Sequence, residues 1–165
     1  MSDTIDITPS PRILRMLGQI DFSAFQCICE LIDNSIDAFS TNNPDQGFKP
    51  EIHVRIPKLP TDQNENENAC IEISDNGYGM DFDQLNRSLK AGFSSNNPID
   101  KMGLFGMGFN IATARLGQKT EITTYRKNDA FKSKVTIDFR ELESSSKFNV
   151  PIEKIKKSED ETNKQ

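Results

Sequence analysis

Residues 24–39 read AFQCICELIDNSIDAF, and this stretch predicts an amphipathic helix from about residue 22 to residue 40, capped by Asp21. Its apolar residues recur at helical spacing and therefore predict one buried stripe. The stripe consists of Phe25, Ile28, Cys29, Ile32, Ile36 and Phe39. Glu30, Asn34 and Asp37 stand four and then three residues apart, so they share the opposite face of the helix.

The polar face of this helix allows two interpretations, a solvated surface or a site for a hydrated metal ion. Asparagine is a poor residue in the middle of a helix, and Asp33 adds an acid with no obvious Lys or Arg partner on the helix. A carboxylate and an amide oxygen one turn apart offer the hard oxygen ligands that Mg²⁺ prefers. Because Mg²⁺ keeps several waters and is shared with substrate phosphates, the second interpretation points to a phosphorylated substrate.

The second motif, IEISDNGYGM at residues 71–80, begins as a strand and ends in a turn with two glycines around Tyr78. One interpretation is a tight hairpin turn, for which Asn-Gly is typical. The other is a purine-binding floor, in which Asp75 accepts a hydrogen bond from an exocyclic amine and Met80 packs on the ring. A calcium loop is excluded because the glycine is not at the sixth position and the terminal acid is missing.

The third motif is KMGLFGMGFNIATARLG at residues 101–117, where Gly103, Gly106 and Gly108 form the pattern GxxGxG. This pattern is neither the dinucleotide fingerprint GxGxxG nor a Walker A sequence. It is either a flexible loop before a helix, or a glycine-rich turn that offers free N–H groups and a positive helix end to an anion. The preceding GFSSNNPID predicts a mobile lid over bound phosphate.

Strands are predicted on both sides of these motifs. Residues 51–56 alternate between apolar and polar side chains, and residues 70–74 form the returning strand. Residues 121–125 and 133–139 predict a further antiparallel hairpin that turns near Asn128. Helices interleaved with these strands predict an α+β sandwich with helices on one face of a sheet.

The length of 165 residues fits one domain, predicted over residues 1–150. The apolar pattern fades from Glu141 onward. Residues 151–165 are predicted to form a charged, disordered tail or a truncated linker.

Composition and charge exclude several classes of protein. Twenty Lys and Arg against 25 Asp and Glu give a net charge of −5, which argues against a general binder of the nucleic-acid backbone. No apolar run approaches the ~18 residues of a membrane span, and the start, MSDTIDIT, does not resemble a signal peptide. Three cysteines are too few for a disulfide scaffold and favour a reducing compartment. We therefore expect a cytoplasmic protein, or a nuclear one in a eukaryote, that is not secreted.

Together and in this order, ELIDNSIDA (30–38), DNGYGM (75–80) and GLFGMGF (103–109) resemble the nucleotide-binding boxes of the GHKL ATPases. That superfamily includes gyrase, the heat-shock-ninety chaperones, histidine kinases and MutL. GLFGMGF is most similar to the chaperone and Microrchidia (MORC) branches, and AGFSSN with ARLG is most similar to the MORC ATPases. The resemblance covers about residues 20–125 and implies the Bergerat fold, a two-layer sandwich of a mixed, mostly antiparallel sheet with helices on one face.

The resemblance also implies roles for the residues of the first box. Glu30 matches the glutamate that orients and deprotonates the attacking water. Asn34 matches the amide that holds Mg²⁺, and Asp37 would support the hydration of the ion in the same acidic pocket. The cofactors implied are therefore ATP and Mg²⁺.

In the second box, Asp75 matches the aspartate that recognises adenine, with Gly79 and Met80 beside it. The third box and the lid would wrap the phosphates, largely through backbone N–H groups. These residues are Ser94, Ser95, Gly103, Leu104, Phe105, Gly106, Met107, Gly108 and Phe109. The chemistry implied is phosphoryl transfer to water, in which positioning and charge neutralisation supply most of the catalysis.

Two departures from the family pattern bear on the activity. Relatives carry a later Gly-Thr strand whose threonine supports the adenine aspartate, and here Thr123, Thr124 and Thr136 are weak substitutes. The chaperone, MutL and MORC relatives also complete their site with a cation from a second domain, for which 165 residues leave no room. We therefore expect a chain that binds Mg-ATP but turns it over slowly or not at all.

The function expected from the resemblance is an ATPase module that gates lid closure and dimerisation of a larger machine, MORC-like or chaperone-like. The partners expected are the nucleotide and, in the full-length protein, a second copy of the chain. Two alternatives stay open: a nucleotide-sensing module that never hydrolyses, and a phosphotransfer domain of the histidine-kinase type. The intact Glu30 argues against the first alternative, and the second would need a phospho-acceptor domain.

Overall fold

The computed structural model of the chain describes residues 19–41, 47–57, 69–90, 108–145 and 149–158. The elements in chain order are α1 (Ala24–Thr41), β1 (Ile52–Arg55), β2 (Glu72–Asp75), α2 (Phe82–Leu89), α3 (Gly108–Leu116), β3 (Lys119–Thr124), β4 (Phe131–Asp138), α4 (Phe139–Ser145) and β5 (Ile152–Lys156). Within these ranges, no helix is both long and apolar enough to cross a membrane.

Helix α1 begins two residues later than the sequence predicts, because Ser23 and not Asp21 caps it. The hydroxyl of Ser23 accepts a hydrogen bond from the backbone N–H of Gln26 at 3.2 Å. In return, the backbone N–H of Ser23 donates to Oε1 of Gln26 at 2.9 Å. This reciprocal pair is a capping box, and its S-x-x-Q spacing was a better start signal than an isolated aspartate.

The predicted apolar stripe of α1 is wrong at two positions. Phe25 is 75% exposed and Ile36 is 48% exposed, whereas Cys27, Ser35 and Phe39 are buried. The reason is that α1 packs against α3, where Gly108 and Ala112 lie buried and allow close approach. The buried face of α1 is therefore turned away from the predicted apolar stripe and includes the small residues Cys27 and Ser35.

The strands form two antiparallel sheets within the described residues. In the first, β1 pairs with β2, and Ile52 lies opposite Asp75. In the second, the order is β3-β4-β5, and Val135 at its centre lies opposite Ile122 and Ile152. Helices combined with antiparallel sheets confirm the α+β class.

The predicted disordered tail from residue 151 is wrong for residues 152–158. Strand β5 pairs with β4 along its length, and the backbone N–H of Lys157 extends the ladder to the carbonyl of Ala130. Only Ile152 of this strand packs against the core, so its sequence shows little apolar periodicity. The strand is formed by backbone pairing with β4, and its side-chain pattern does not indicate that pairing.

A small core joins the second sheet to α2 and α4. Its buried members are Leu85, Val135, Ile137, Phe139 and Leu142. Met80 and Ile122 pack against this cluster from its edge. The turn after β2 is thus anchored to the core through Met80, which fixes one wall of the site described next.

Candidate functional site

The carboxylate of Asp75 is held in one orientation at the end of β2. Its Oδ1 accepts a hydrogen bond from the backbone N–H of Gly77 at 2.9 Å. Its Oδ2 accepts one from the hydroxyl of Ser35, on the buried face of α1, at 3.0 Å. Each oxygen has lone pairs to spare, so the fixed carboxylate can still accept a hydrogen bond from a ligand amine.

Sequence reasoning missed Ser35. The sequence offered one signal, a small hydroxyl residue directly after Asn34 in the middle of the helix. The register of α1 against β2 could not be derived from that signal. Ser35 therefore joins the candidate site as the residue that orients Asp75 from the helix.

The segment before β1 is attached to the same turn. Asn76 accepts a hydrogen bond from the backbone N–H of Glu51 at 2.8 Å and donates to the carbonyl of Lys49 at 2.9 Å. Beside this clip, the ring of Phe48 lies 5.7 Å from the ring of Tyr78 and 6.0 Å from that of Phe39. The three aromatic rings link the end of α1 to the turn and stabilise it from one side.

Gly79 and Met80 lie against the end of β3. Gly79 has a φ of +68°, and a β-carbon at this position would overlap the carbonyl oxygen of Tyr125. The backbone N–H of Met80 donates to the hydroxyl of Thr124 at 2.8 Å. Thr124 thus supports the turn through Met80, while Ser35 is the hydroxyl that bonds Asp75 directly.

Glu30 of α1 lies against the first residue of α3. The Glu30 carboxylate occupies the space that a β-carbon on Gly108 would take, so a side chain there would displace it. Burial raises the pKa of the Glu30 carboxyl above its ordinary value, and the charges of Asp33 and Asp37 raise that pKa further. A carboxylate with a raised pKa holds a proton more strongly than an ordinary one, which suits a general base.

The side chains of Asn34 and Asp37 lie on the exposed part of α1, beyond Glu30. Within the described ranges, no three or more His, Cys, Asp or Glu side chains are arranged as a metal cage. A Mg²⁺ ion shared with substrate phosphates needs only one or two protein oxygens. The amide oxygen of Asn34 and the neighbouring carboxylates fit that kind of site by their chemistry.

The structure describes only two of the predicted phosphate-binding residues. Gly108 and Phe109 are the first residues of α3 that the structure describes. The others lie outside the described residues: Ser94, Ser95, Gly103, Leu104, Phe105, Gly106 and Met107. Contacts can be described for six of the predicted residues: Glu30, Asp75, Gly79, Met80, Gly108 and Phe109, whose carbonyl accepts a hydrogen bond from the hydroxyl of Thr113.

Comparison with known proteins identifies relatives of this arrangement. Residues 22–165 match the family model for "Histidine kinase-, DNA gyrase B-, and HSP90-like ATPase". The mouse protein "MORC family CW-type zinc finger protein 3" is 30% identical over 117 residues, 69% of this chain and 11% of that protein. Two Arabidopsis thaliana proteins are also similar. "Protein MICRORCHIDIA 7" is 28% identical over 65% of this chain and 14% of its own length, and "Protein MICRORCHIDIA 1" is 30% identical over 65% and 15%.

The match to the family model covers most of the chain, and it confirms the resemblance that the three motifs predict. The matched region of these three relatives is only 11 to 15% of their own length. The similarity therefore covers one region of those proteins and does not extend to the rest of their length.

Proposed function

Because the chain belongs to the family of histidine kinase-, DNA gyrase B- and HSP90-like ATPases, we propose that it binds Mg-ATP and hydrolyses it slowly. In this proposal, nucleotide binding closes a lid and favours dimerisation of a larger MORC-like machine. The observation that carries the proposal is the contact of the Glu30 carboxylate with Gly108 at the start of α3. It joins a proton acceptor to the helix end that would face the terminal phosphate.

Asp75 is the proposed adenine-recognition residue. Its carboxylate is already oriented by Ser35 and Gly77, so binding would cost little further ordering. Met80, half-buried at the edge of the core, would supply an apolar wall beside this carboxylate. A purine with an exocyclic amine fits this combination of one acceptor and an apolar wall.

Glu30 is the proposed general base. In the proposed step, a water oxygen attacks the terminal phosphorus, the bond to the bridging oxygen breaks, and the carboxylate of Glu30 takes the proton of the water. ADP leaves with the bridging oxygen, so charge and atoms balance. The raised pKa of Glu30 increases its affinity for this proton compared with an ordinary glutamate.

Asn34 would hold Mg²⁺ through its amide oxygen, with Asp37 in a supporting position on the same helix. The ion, when bound, would neutralise part of the phosphate charge. The backbone N–H groups at the start of α3, together with the proposed residues from Ser94 to Met107, would receive the phosphates.

We expect this chain alone to release phosphate far more slowly than ~1 s⁻¹, the lower end of common enzyme turnover. The resemblance implies that relatives complete their site with a cation from a second domain, and this chain spans only 11 to 16% of the length of the curated relatives. The measurement is phosphate release per chain over a range of chain concentrations. Specific activity that rises with concentration supports gating by dimerisation. A concentration-independent rate of ~1 s⁻¹ or more contradicts the proposal.

A further inference from the structure

Thr124, the last residue of β3, and the two residues that follow it contact three consecutive residues of the Asp75–Asp81 turn. Thr124 accepts the hydrogen bond of Met80, and the carbonyl of Tyr125 lies against Gly79. The guanidinium of Arg126 lies 3.3 Å from the carboxylate of Asp81, which caps α2. The position of residues 124–126 therefore sets the position of Gly79 and Met80.

Lys157, just beyond β5, holds this segment from the other side. Its side-chain ammonium donates hydrogen bonds to the carbonyls of Arg126 at 3.2 Å and Lys127 at 3.1 Å. The same ammonium lies 4.6 Å from the centre of the Tyr125 ring. Lys157 is only 8% exposed. The two carbonyl dipoles and the face of the ring therefore stabilise its ammonium in place of water.

The backbone N–H of Lys157 is also hydrogen-bonded to the connection between β3 and β4. Its N–H donates to the carbonyl of Ala130 at 3.2 Å, so one residue contacts both arms of the β3–β4 connection. The carbonyl of Arg126, which Lys157 holds, belongs to the peptide unit that directly follows the one lying against Gly79. Two consecutive peptide units therefore connect the buried ammonium to Gly79.

We propose that Lys157 is a positioning residue for the nucleotide-binding turn. It holds the carbonyls of Arg126 and Lys127, and through them the adjacent Tyr125–Arg126 peptide that lies against Gly79, without touching the ligand. This inference rests on the proposed function, because its effect is seen in nucleotide affinity. It also assigns a role to a segment in which the sequence shows no motif.

Lys157→Met is the direct test, since methionine keeps the length of the stem but loses the ammonium. The matched control is Lys154→Met, which also removes a lysine of this segment and one hydrogen bond, from Nζ to the hydroxyl of Ser133 at 2.7 Å. Lys157→Arg is the rescue variant, because a guanidinium can bond carbonyls and stack on a ring. All variants are compared below the onset of thermal unfolding, so that only folded protein is measured.

We expect Lys157→Met to weaken ATP binding by about 5- to 10-fold. Without the ammonium, the turn would hold the binding-competent position in only a fraction of the molecules, and the apparent affinity falls by that fraction. Lys154→Met and Lys157→Arg are expected to stay within about 2-fold of the native chain. Nucleotide-free hydrogen exchange provides a second readout. The Met80 amide should exchange faster in Lys157→Met and at the native rate in Lys154→Met, because only the first loosens its acceptor Thr124.

The two readouts separate the two proposals. If the native chain binds no ATP, the proposed function fails, and faster exchange at Met80 in Lys157→Met would still support positioning by Lys157. If the native chain binds ATP and Lys157→Met matches it in both affinity and Met80 exchange, the role of Lys157 is overturned. If Lys157→Met does not fold, Lys157→Gln, which retains one donor, is measured in its place and judged by the same two outcomes.

Discussion

Gly79→Ala is expected to abolish ATP binding and to lower the free energy of unfolding by about 2–4 kcal/mol. Two costs add at this position. The φ of +68° is a conformation that alanine adopts reluctantly, and the new β-carbon would overlap the carbonyl oxygen of Tyr125. That oxygen belongs to the backbone, so it cannot move aside as the end of a side chain could. The turn must shift, and the shift displaces Met80 and Asp75 together.

Gly47→Ala provides a matched control for this variant. Gly47 also has a positive φ, +98°, but a β-carbon there would meet no atom within 4 Å. We expect Gly47→Ala to lose about 1 kcal/mol through backbone strain alone and to bind ATP normally. Chemical denaturation and nucleotide titration of both variants provide the comparison. Equal loss of ATP affinity in the two would show that close approach at Gly79 does not matter.

Glu30→Gln is expected to reduce phosphate release by about 10²- to 10⁴-fold while leaving ATP affinity nearly unchanged. Glutamine fills the same space beside Gly108 but cannot take a proton from water. The measurement is single-turnover hydrolysis with saturating ATP, with nucleotide affinity measured on the same preparation. Glu51→Gln, at an exposed glutamate that contacts His53, is the control and should hydrolyse at the native rate.

The same variant has a pH signature in stability. Since the pKa of Glu30 is raised in the folded chain, its ionised form disfavours folding, and the stability of the native chain falls as the pH rises through that raised pKa. Glu30→Gln should therefore be more stable than the native chain at neutral pH. The difference should vanish below the ordinary glutamate value of 4.5, where Glu30 is protonated in both states. A variant that is less stable than the native chain at neutral pH would contradict burial and acidic neighbours as the cause.

The sequence pointed to polar candidates for the site more readily than to the packing that holds them. Glu30 and Asp75 could be proposed because the expected chemistry requires particular residue types at particular spacings, and the family match spans both positions. The face of α1 could not be predicted from apolar spacing. Contact with the small residues of α3 turns Ser35 inward and leaves Phe25 exposed, and a partner helix of that kind leaves no signal within α1.

Strand β5 shows a second limit of prediction from the sequence. Residues 152–156, IEKIK, form a strand because they pair with the backbone of β4, and their side chains alone do not mark that pairing. The buried Lys157 is a related case, since a lysine in a charged run suggests solvent exposure. Lys157 is buried because its ammonium donates to the carbonyls of Arg126 and Lys127, which are distant in the sequence.

The central claim is that Asp75 and the turn after it form an adenine site, and calorimetric titration with Mg-ATP tests it most directly. Asp75→Asn replaces one acceptor oxygen by an NH₂ donor, which should repel the exocyclic amine of adenine instead of accepting its hydrogen bond. Ser35→Ala removes only the orienting bond and should bind about 3- to 10-fold more weakly than the native chain. Asp83→Asn, at an exposed aspartate in the first turn of α2, is the control. The account predicts saturable binding by the native chain and Asp83→Asn, weaker binding by Ser35→Ala and none by Asp75→Asn. Equal binding by the native chain and Asp75→Asn, or no binding by the native chain, would contradict it.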